Sequence, residues 1–323
     1  MPRKALVAGI NNYPRMQLTG CVKDATDIAA LLETNDDGNT NFNVQLHTDI
    51  MQKEKLRKLL DDLFSGDDEV ALFYFSGHGY IDKSGGYLVM PDYRNYDEGI
   101  SMNDILVLAN NSRVKHKIII LDCCYSGTIA APVLNHAMIS HINQGVTILT
   151  ASSEDQPAVE KNGQGIFTGL LVEALKGGAA DIVGHITPGS LYAYIERALG
   201  PWEQSPLFKA NVSEFVCLRK AMPNIDISVL RKITEYFKDP AMPYALNPSY
   251  EYTNVPDTDY FDKEPYANAD HVTIFKDLQK MHRVGLVEPI NETYMYYAAM
   301  NSTGCKLTPL GIQYHRLVKK REI

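Results

Sequence analysis

The sequence predicts an α/β protein with a mainly parallel sheet, followed by a smaller module of helices and strands. Two observations carry this prediction. Short β-rich runs alternate with amphipathic helical patterns over the first two thirds of the chain, and this pattern of residue types changes near Ala221. A length of 323 residues with 45% apolar residues suits about two domains with buried cores. We therefore assign residues 1–220 to a first domain and residues 221–323 to a second.

The first domain shows strand and helix patterns in alternation. Its strands are predicted at Ala5–Ile10, Val44–Leu46, Val70–Phe75, Ile118–Leu121 and Val146–Thr150. Apolar residues spaced three and four apart predict helices around Leu56–Leu63, Phe167–Leu175 and Leu191–Leu199, and Ser101 is a suitable N-cap for another. Alternating strands and helices build a parallel sheet covered on both faces. Functional groups are therefore expected at the carboxyl ends of the strands.

The second module begins with a helical stretch, Ile225–Phe237, and a long loop, Lys238–Ala269. A helix over Val272–Val284, an alternating segment at Tyr294–Ala299 and a last helix over Pro309–Lys320 follow. This order of helix, hairpin and helix resembles a winged-helix module. Because the module carries 12 basic and 13 acidic side chains, nucleic-acid binding is disfavoured and a protein-contact or sensor role is favoured.

Composition limits the class of protein. The net charge is −8, and the five cysteines follow no disulfide-framework spacing, with Cys123 and Cys124 adjacent to each other. Such cysteines are typical of a reducing compartment. No run approaches the ~18 apolar residues of a membrane span, and the first residues lack the apolar stretch of a signal peptide. We expect a cytoplasmic protein with no membrane attachment.

Two apolar strands end in residues that carry chemistry. The first runs into Ser76–Gly79 (SGHG) and the second into Asp122–Gly127 (DCCYSG). A histidine and a cysteine just past the ends of two strands suit a nucleophile pair, since imidazole takes the thiol proton during attack and returns it to the leaving amine. Gly79 lets a backbone N–H approach a substrate oxygen, and together with the Cys124 amide it predicts an oxyanion hole.

These motifs resemble those of the caspase-like clan of cysteine peptidases, and the local sequence is most similar to metacaspases and their bacterial relatives. His78 is followed 46 residues later by Cys124. Further matching segments are Ala5–Tyr13, Leu18–Ala25, Gly86–Asp92, Thr150–Ser153 and Gly165–Gly169. The resemblance covers about residues 1–218 and implies a caspase-like three-layer sandwich, with Cys124 rather than Cys123 as nucleophile and His78 as base. Tyr125 departs from the histidine that often follows the nucleophile in metacaspases.

The resemblance also implies a substrate preference. Metacaspases accept Arg or Lys before the scissile bond in an acidic pocket, whose aspartates correspond to Asp24 and Asp122, while Ser76 and Cys21 match further wall positions. Two carboxylates attract a cation and repel an acidic side chain. Structural alternatives remain open: Asp122 as a turn cap, Asp24 as a favourable charge at a helix N-terminus, and Cys21 as core packing.

Calcium is a feature of many metacaspases. Asp92 and Asp104 resemble two of the carboxylate positions, but Asn103 and Ala131 stand where further aspartates are usual. Since a hard cation needs several oxygen ligands and this set is incomplete, we expect no calcium requirement, with calcium dependence as the alternative. The sequence contains no CxxC pair, phosphate-binding loop or serine-hydrolase elbow. We therefore expect no cofactor.

We predict a cysteine endopeptidase that cleaves proteins or peptides after Arg or Lys. The resemblance implies a bacterial defence or cell-death effector that a protein partner activates through residues 221–323. Lys161 is a candidate site of self-cleavage, and the 238–269 loop is a candidate site of self-cleavage or partner docking. The alternative is a caspase-like scaffold that recruits a partner and has little proteolytic activity.

Overall fold

The computed structural model describes residues 2–82, 85–94, 97–125, 142–151, 160–161, 164–199, 206–256 and 263–323. The chain forms two compact units, Met1–Met222 and Pro223–Ile323. The domain boundary drawn from the sequence at residue 220 differs from this division by two residues. None of the helices in the described ranges is long and apolar enough to cross a membrane.

The first unit is built on a mainly parallel sheet. The strands in its described residues are β1 (Arg3–Gly9), β2 (Asn43–Thr48), β3 (Val70–Asp82), β4 (Gly85–Arg94), β5 (Asp97–Ser101), β6 (His116–Tyr125), β7 (Val146–Thr150), β8 (Glu160–Lys161), β9 (Gln164–Gly165), β10 (His185–Ile186), β11 (Leu207–Asn211) and β12 (Arg219–Lys220). The sheet order is β11-β7-β6-β3-β1-β2, with β4 paired to β3 and β5 to β4. Strands β1, β2, β3, β6 and β7 are parallel, whereas β4, β5 and β11 are antiparallel to their neighbours. Two short pairs, β8 with β9 and β10 with β12, lie outside this sheet.

Helices cover both faces of the sheet. They are α1 (Cys21–Glu33), α2 (Lys53–Phe64), α3 (Met102–Asn111), α4 (Ile166–Glu173) and α5 (Pro188–Leu199), with a π-helical turn at Ala174–Gly178. One apolar core includes α2 and α3, and a second core on the opposite face includes α1, α4 and α5. Successive strand residues alternate between them, so that Phe73 and Phe75 belong to the first core while Leu72 and Tyr74 belong to the second. The predicted three-layer α/β architecture is confirmed.

The five predicted strands are present, but two of them continue past the point where the sequence pattern ends. Strand β3 runs through Ser76–Gly79 to Asp82, and β6 runs to Tyr125. Glycine and histidine do not extend a strand pattern, yet both extensions are paired here. Strands β3 and β6 remain in register as far as Gly79 and Tyr125, and β4 pairs with Gly79–Asp82. This pairing provides hydrogen-bond partners for backbone groups that the glycine-rich sequence would otherwise leave to solvent.

The second unit contains five helices and one strand pair among its described residues. These are α6 (Ile227–Arg231), α7 (Ile233–Tyr236), a 3₁₀ turn (Pro248–Tyr250), α8 (Ala269–Arg283), β13 (Val287–Pro289), α9 (Met295–Met300), β14 (Cys305–Leu307) and α10 (Pro309–Lys319). Strands β13 and β14 pair in antiparallel fashion. The helix predicted at Ile225–Phe237 is divided into α6 and α7.

The strand predicted at Tyr294–Ala299 is wrong, because these residues form α9. Met295, Ala298 and Ala299 are buried, and their spacing of three and four residues is helical rather than extended. The second strand of the pair is β14, so a helix stands between the two strands instead of a short hairpin turn. The winged-helix resemblance stays a prediction.

Candidate active site

His78 and Cys124 occupy adjacent positions on neighbouring strands. Their Cα atoms are partners in the parallel register of β3 and β6. Neighbouring strands lie about 4.8 Å apart, so the fold places the backbones of the predicted base and nucleophile side by side. The side chain of Cys124 and residues 126–141 lie outside the described part of the chain.

Met16 and Tyr13 contact His78, one through its carbonyl and the other through its ring and hydroxyl. The ring nitrogen Nε2 lies 2.7 Å from the carbonyl oxygen of Met16. Because a carbonyl only accepts hydrogen bonds, Nε2 carries a proton, which leaves Nδ1 as the basic nitrogen of the neutral ring. The Tyr13 ring contacts the imidazole edge to face at 4.5 Å, and its hydroxyl accepts a hydrogen bond from the His78 N–H at 3.1 Å and donates to the Val89 carbonyl at 3.2 Å. The imidazole is therefore fixed in both tautomer and orientation.

The loop that carries Tyr13 and Met16 is held by Asp49. One carboxylate oxygen accepts hydrogen bonds from the backbone N–H groups of Asn11 and Asn12 at 2.8 and 2.9 Å, and the other accepts from the Asn12 side-chain amide at 3.0 Å. Asp49 itself adopts a left-handed backbone conformation with φ of 49°, which few residue types other than glycine tolerate easily. Asp49, the residue that follows β2, thus anchors the segment that orients His78.

The structure places three other residues of the predicted site. Gly79 has Cα partners on both sides, Tyr125 on β6 and Leu88 on β4. Cys123 is buried in the core beneath β6, with 1% of its surface exposed. Cys21 is the first residue of α1 and is also buried. The oxyanion role of Gly79 and the pocket role of Cys21 stay predictions.

Asp24 and Asp122 converge on one residue, Gly165. A Cβ atom added at Gly165 would lie 2.8 Å from Asp122 Oδ2 and 3.4 Å from Asp24 Oδ2. Asp24 is 2% exposed, and its Oδ2 accepts long hydrogen bonds from Ser76 Oγ at 3.3 Å and from the Gly165 N–H at 3.4 Å. Its Oδ1 is buried and has no hydrogen-bond partner among the described residues. The predicted carboxylate pair is thus brought together beside Ser76.

Asp122 has a stronger hydrogen-bond donor than Asp24 has. Thr168 Oγ1 donates to Asp122 Oδ2 at 2.5 Å, and the Tyr74 hydroxyl lies 2.6 Å from the same threonine oxygen. Thr168 and Tyr74 are both fully buried. Thr168 lies in the first turn of α4, so Asp122 also supports the start of this helix. The structural and the substrate-binding interpretations of Asp122 are therefore compatible.

Burial makes both carboxylates reluctant to ionise. Desolvation, and then the nearby Asp122 charge, raise the pKa of Asp24 to about 7. Desolvation also raises the pKa of Asp122, and the hydrogen bonds from Thr168 offset part of that rise. Two carboxylates in one poorly hydrated site repel each other when both are charged. A cation near the pair would favour the charged form of both carboxylates.

The residues proposed for calcium have other partners. Asp92 Oδ2 accepts a hydrogen bond from the Lys53 N–H at 3.2 Å, and Asp104 Oδ2 pairs with Arg57 at 3.1 Å. In the described ranges, no group of three or more His, Cys, Asp or Glu side chains is arranged to hold a metal ion. Ala131 lies outside the described residues. The expectation of no calcium requirement stays a prediction.

Sequence reasoning did not identify Met16, Asp49 and Thr168 as site residues. Met16 acts through its carbonyl, which no side-chain pattern reveals. Thr168 lies within the Gly165–Gly169 motif, so a signal existed, but its partner Asp122 is 46 residues away. Lys161, the candidate self-cleavage residue, lies on β8 opposite Gln164 of β9, and its side chain is outside the described residues.

A family model and one solved structure agree with this architecture. A family model described as a caspase domain matches residues 2–232. A crystal structure of a protein from Geobacter sulfurreducens aligns with a TM-score of 0.51 at 18% identity, covering 69% of this chain and 98% of that one. Caspase-1 from Spodoptera frugiperda aligns with a TM-score of 0.47 at 13% identity, covering 68% of this chain and 90% of that one. A search of the curated proteins finds no match.

Proposed function

Because the chain belongs to the caspase domain family, we propose that it is a cysteine endopeptidase with Cys124 as nucleophile and His78 as general base. The family is one of cysteine peptidases, so the reaction is hydrolysis of peptide bonds in a protein or peptide substrate. The observation that carries the assignment of residues is the register of β3 and β6, which makes His78 and Cys124 neighbours. The Met16 carbonyl supports it, because it leaves His78 Nδ1 as the basic nitrogen.

The proposed reaction proceeds in two halves. His78 Nδ1 accepts the Cys124 thiol proton as the sulfur attacks the scissile carbonyl carbon, and the resulting oxyanion accepts hydrogen bonds from the N–H groups of Gly79 and Cys124. His78 then donates its proton to the leaving amine, and an acyl-enzyme thioester remains. In the second half His78 takes a proton from water, the hydroxide attacks the thioester, and the acid product leaves as the thiol is regenerated. Removal of one oxyanion donor typically costs about 10²–10³ in kcat.

We propose that the substrate residue before the scissile bond is Arg or Lys. The support is the convergence of Asp24 and Asp122 on Gly165, where a Cβ atom would lie 2.8 Å from Asp122 Oδ2 and 3.4 Å from Asp24 Oδ2. Ser76 adds a hydroxyl beside Asp24. A negatively charged side chain would face two buried carboxylates and be repelled, whereas a cation would restore the charge of both. Cys21 is proposed as a buried part of the same wall.

The first experiment is a peptide-library cleavage profile of the wild-type protein beside Cys124→Ala, with and without a metal chelator. We expect cleavage after Arg and Lys in the wild-type protein, none in the variant, and no effect of the chelator, since we propose that no metal or other cofactor is required. Cleavage after Asp would refute the pocket. Failure of an activated peptide probe to label Cys124 in every condition would favour the alternative, a caspase-like scaffold with little proteolysis.

We further propose that a protein partner activates the enzyme through residues 221–323, as expected for a defence or cell-death effector. The support is a group of exposed tyrosines on the second unit. Tyr294, Tyr296 and Tyr297 are 62%, 37% and 48% exposed, and their rings contact one another. Exposed tyrosines are enriched at protein interfaces. Replacing all three with serine is expected to abolish activation by the partner while leaving basal cleavage of short peptides unchanged.

A further inference from the structure

A directional chain of hydrogen bonds ends on one member of the acidic pair. Thr168 Oγ1 donates its only proton to Asp122 Oδ2 at 2.5 Å. The Tyr74 hydroxyl, 2.6 Å from Thr168 Oγ1, must therefore be the donor in that contact. Burial raises the pKa of Tyr74 well above its ordinary range, so the phenol keeps its proton. The chain thus runs from Tyr74 through Thr168 to Asp122.

Asp24 has no equivalent donor. Its two hydrogen bonds, from Ser76 and the Gly165 N–H, are 3.3 and 3.4 Å long, and its Oδ1 is buried without a partner among the described residues. Hydrogen bonds to a charged acceptor are strong when short and weak when long. The two carboxylates are therefore unequal: the contacts of Asp122 favour its charged form, and those of Asp24 favour a proton on Asp24 until a cation arrives.

We propose that Thr168 is a specificity-determining positioning residue, which holds Asp122 as the charged member of the pair and so gives the pocket its preference for Arg or Lys, with Tyr74 orienting the threonine hydroxyl. This inference rests on the proposed peptidase function and its cationic pocket. Thr168 acts through Asp122 and touches neither the scissile bond nor His78. Its effect is therefore confined to substrates with a positive charge before the scissile bond.

The test compares substrates that end in arginine with matched substrates that end in citrulline, which replaces the guanidinium with a neutral urea of similar shape. In Thr168→Val, which removes the hydroxyl and keeps the shape, kcat/KM for the arginine substrate is expected to fall about tenfold or more. The value for the citrulline substrate should stay within about twofold of wild type. Thr168→Ser should restore the arginine preference, and Tyr74→Phe should lower it by about two- to tenfold.

Thr147→Val is the matched control, because it removes another buried threonine hydroxyl. Thr147 pairs with Ile118, four residues before Asp122 on β6, which places it about 13 Å from the pocket along the strand. We expect this control to leave the ratio of arginine to citrulline cleavage unchanged. An equal fall in kcat/KM for the arginine and the citrulline substrate in Thr168→Val would show a purely structural role and overturn the proposal.

A binding measurement separates this inference from the peptidase assignment. Calorimetric titration of Cys124→Ala with benzamidine needs no catalysis, and we expect Thr168→Val in that background to weaken binding about tenfold. Unchanged affinity would overturn the role of Thr168 while leaving the acidic pocket intact. Complete absence of benzamidine binding by Cys124→Ala would overturn both the role of Thr168 and the proposed cationic specificity.

Discussion

At the scale of single residues, Asp24 links substrate binding to stability. Its carboxyl is 2% exposed and has only long hydrogen bonds in the described structure. A buried charge without good partners is costly to the folded state, and the same charge would attract the cationic substrate that we propose. Asp24 therefore opposes folding in its ionised form and favours binding in that form.

Stability is expected to fall as pH rises from about 4 to about 7. The pKa of Asp24 is raised to about 7 in the folded protein, against about 4 for an unfolded aspartate. The folded state therefore holds a proton that the unfolded state has released, and this advantage is lost as pH rises through the folded pKa. Asp24→Asn removes the contribution of Asp24, while Asp122, whose pKa burial also raises, keeps its own. The substitution should raise the free energy of unfolding at pH 8 by up to about 4 kcal/mol.

Chemical unfolding of wild type and Asp24→Asn at pH 5 and pH 8 measures this effect. The free energy of unfolding of Asp24→Asn should exceed that of wild type by more at pH 8 than at pH 5. The variant should also lose most of its cleavage after arginine. Identical pH dependence in the two proteins would mean that Asp24 ionises normally. Asp24→Glu is the matching control for activity, since it keeps the charge.

At the scale of elements, the loop after β1 decides how His78 is oriented. It delivers the Met16 carbonyl to His78 Nε2, and Asp49 at the end of β2 holds it through three hydrogen bonds. The catalytic geometry of one strand thus depends on the residue that ends another. Asp49 touches neither His78 nor the pocket, so its effect should be on catalysis rather than on substrate preference.

Asp49→Gly is expected to lower kcat about tenfold with little change in KM. Glycine accepts the φ of 49° without strain, so the substitution removes the three hydrogen bonds and leaves the backbone conformation possible. Steady-state kinetics on arginine and lysine peptides measure the effect, which should be equal for both. Asn291→Gly replaces another residue with positive φ, 56°, in the second unit and should change neither constant. A change in KM alone would contradict the positioning role.

The sequence allowed the core strands and the acidic pair to be anticipated, but not the contacts that orient them. Runs such as Val146–Thr150 are buried on both faces and therefore have an unmistakable β pattern. The continuation of β3 through His78 depends on pairing with β4 and β6, which is a property of the sheet and not of the SGHG residues. The prediction for segment 294–299 is wrong because the pattern counts its tyrosines as apolar although they are exposed, while the buried Met295, Ala298 and Ala299 have helical spacing.

At the scale of the whole molecule, the described site residues belong to one of the two compact units. His78, Asp24, Asp122 and Thr168 all lie within Met1–Met222. In each unit, one charged side chain forms hydrogen bonds that link neighbouring segments. In the first, Arg219 bonds to carbonyls of Leu31, Thr34 and Leu175 and to Asp36. In the second, Asp277 bonds to Lys232 at 2.7 Å and Tyr236 at 2.9 Å.

Replacing Asp277 should lower the stability of the second unit without lowering peptide cleavage, whereas replacing Arg219 should affect cleavage. Asp277 is 5% exposed, and Asp277→Ala leaves the Lys232 ammonium and the Tyr236 hydroxyl without their acceptor, which is expected to cost the second unit about 2–3 kcal/mol. Cleavage of short peptides should stay within about twofold of wild type, because the proposed catalytic and pocket residues belong to the first unit. Arg219→Ala, the matched change in the first unit, should lower the temperature at which peptide cleavage is lost.

Calorimetric unfolding combined with kcat/KM at temperatures below both transitions distinguishes the two variants. A loss of cleavage in Asp277→Ala while the first unit is still folded would show that residues 223–323 contribute directly to catalysis. The role that we propose for the second unit would then change from docking a partner to supporting the active enzyme.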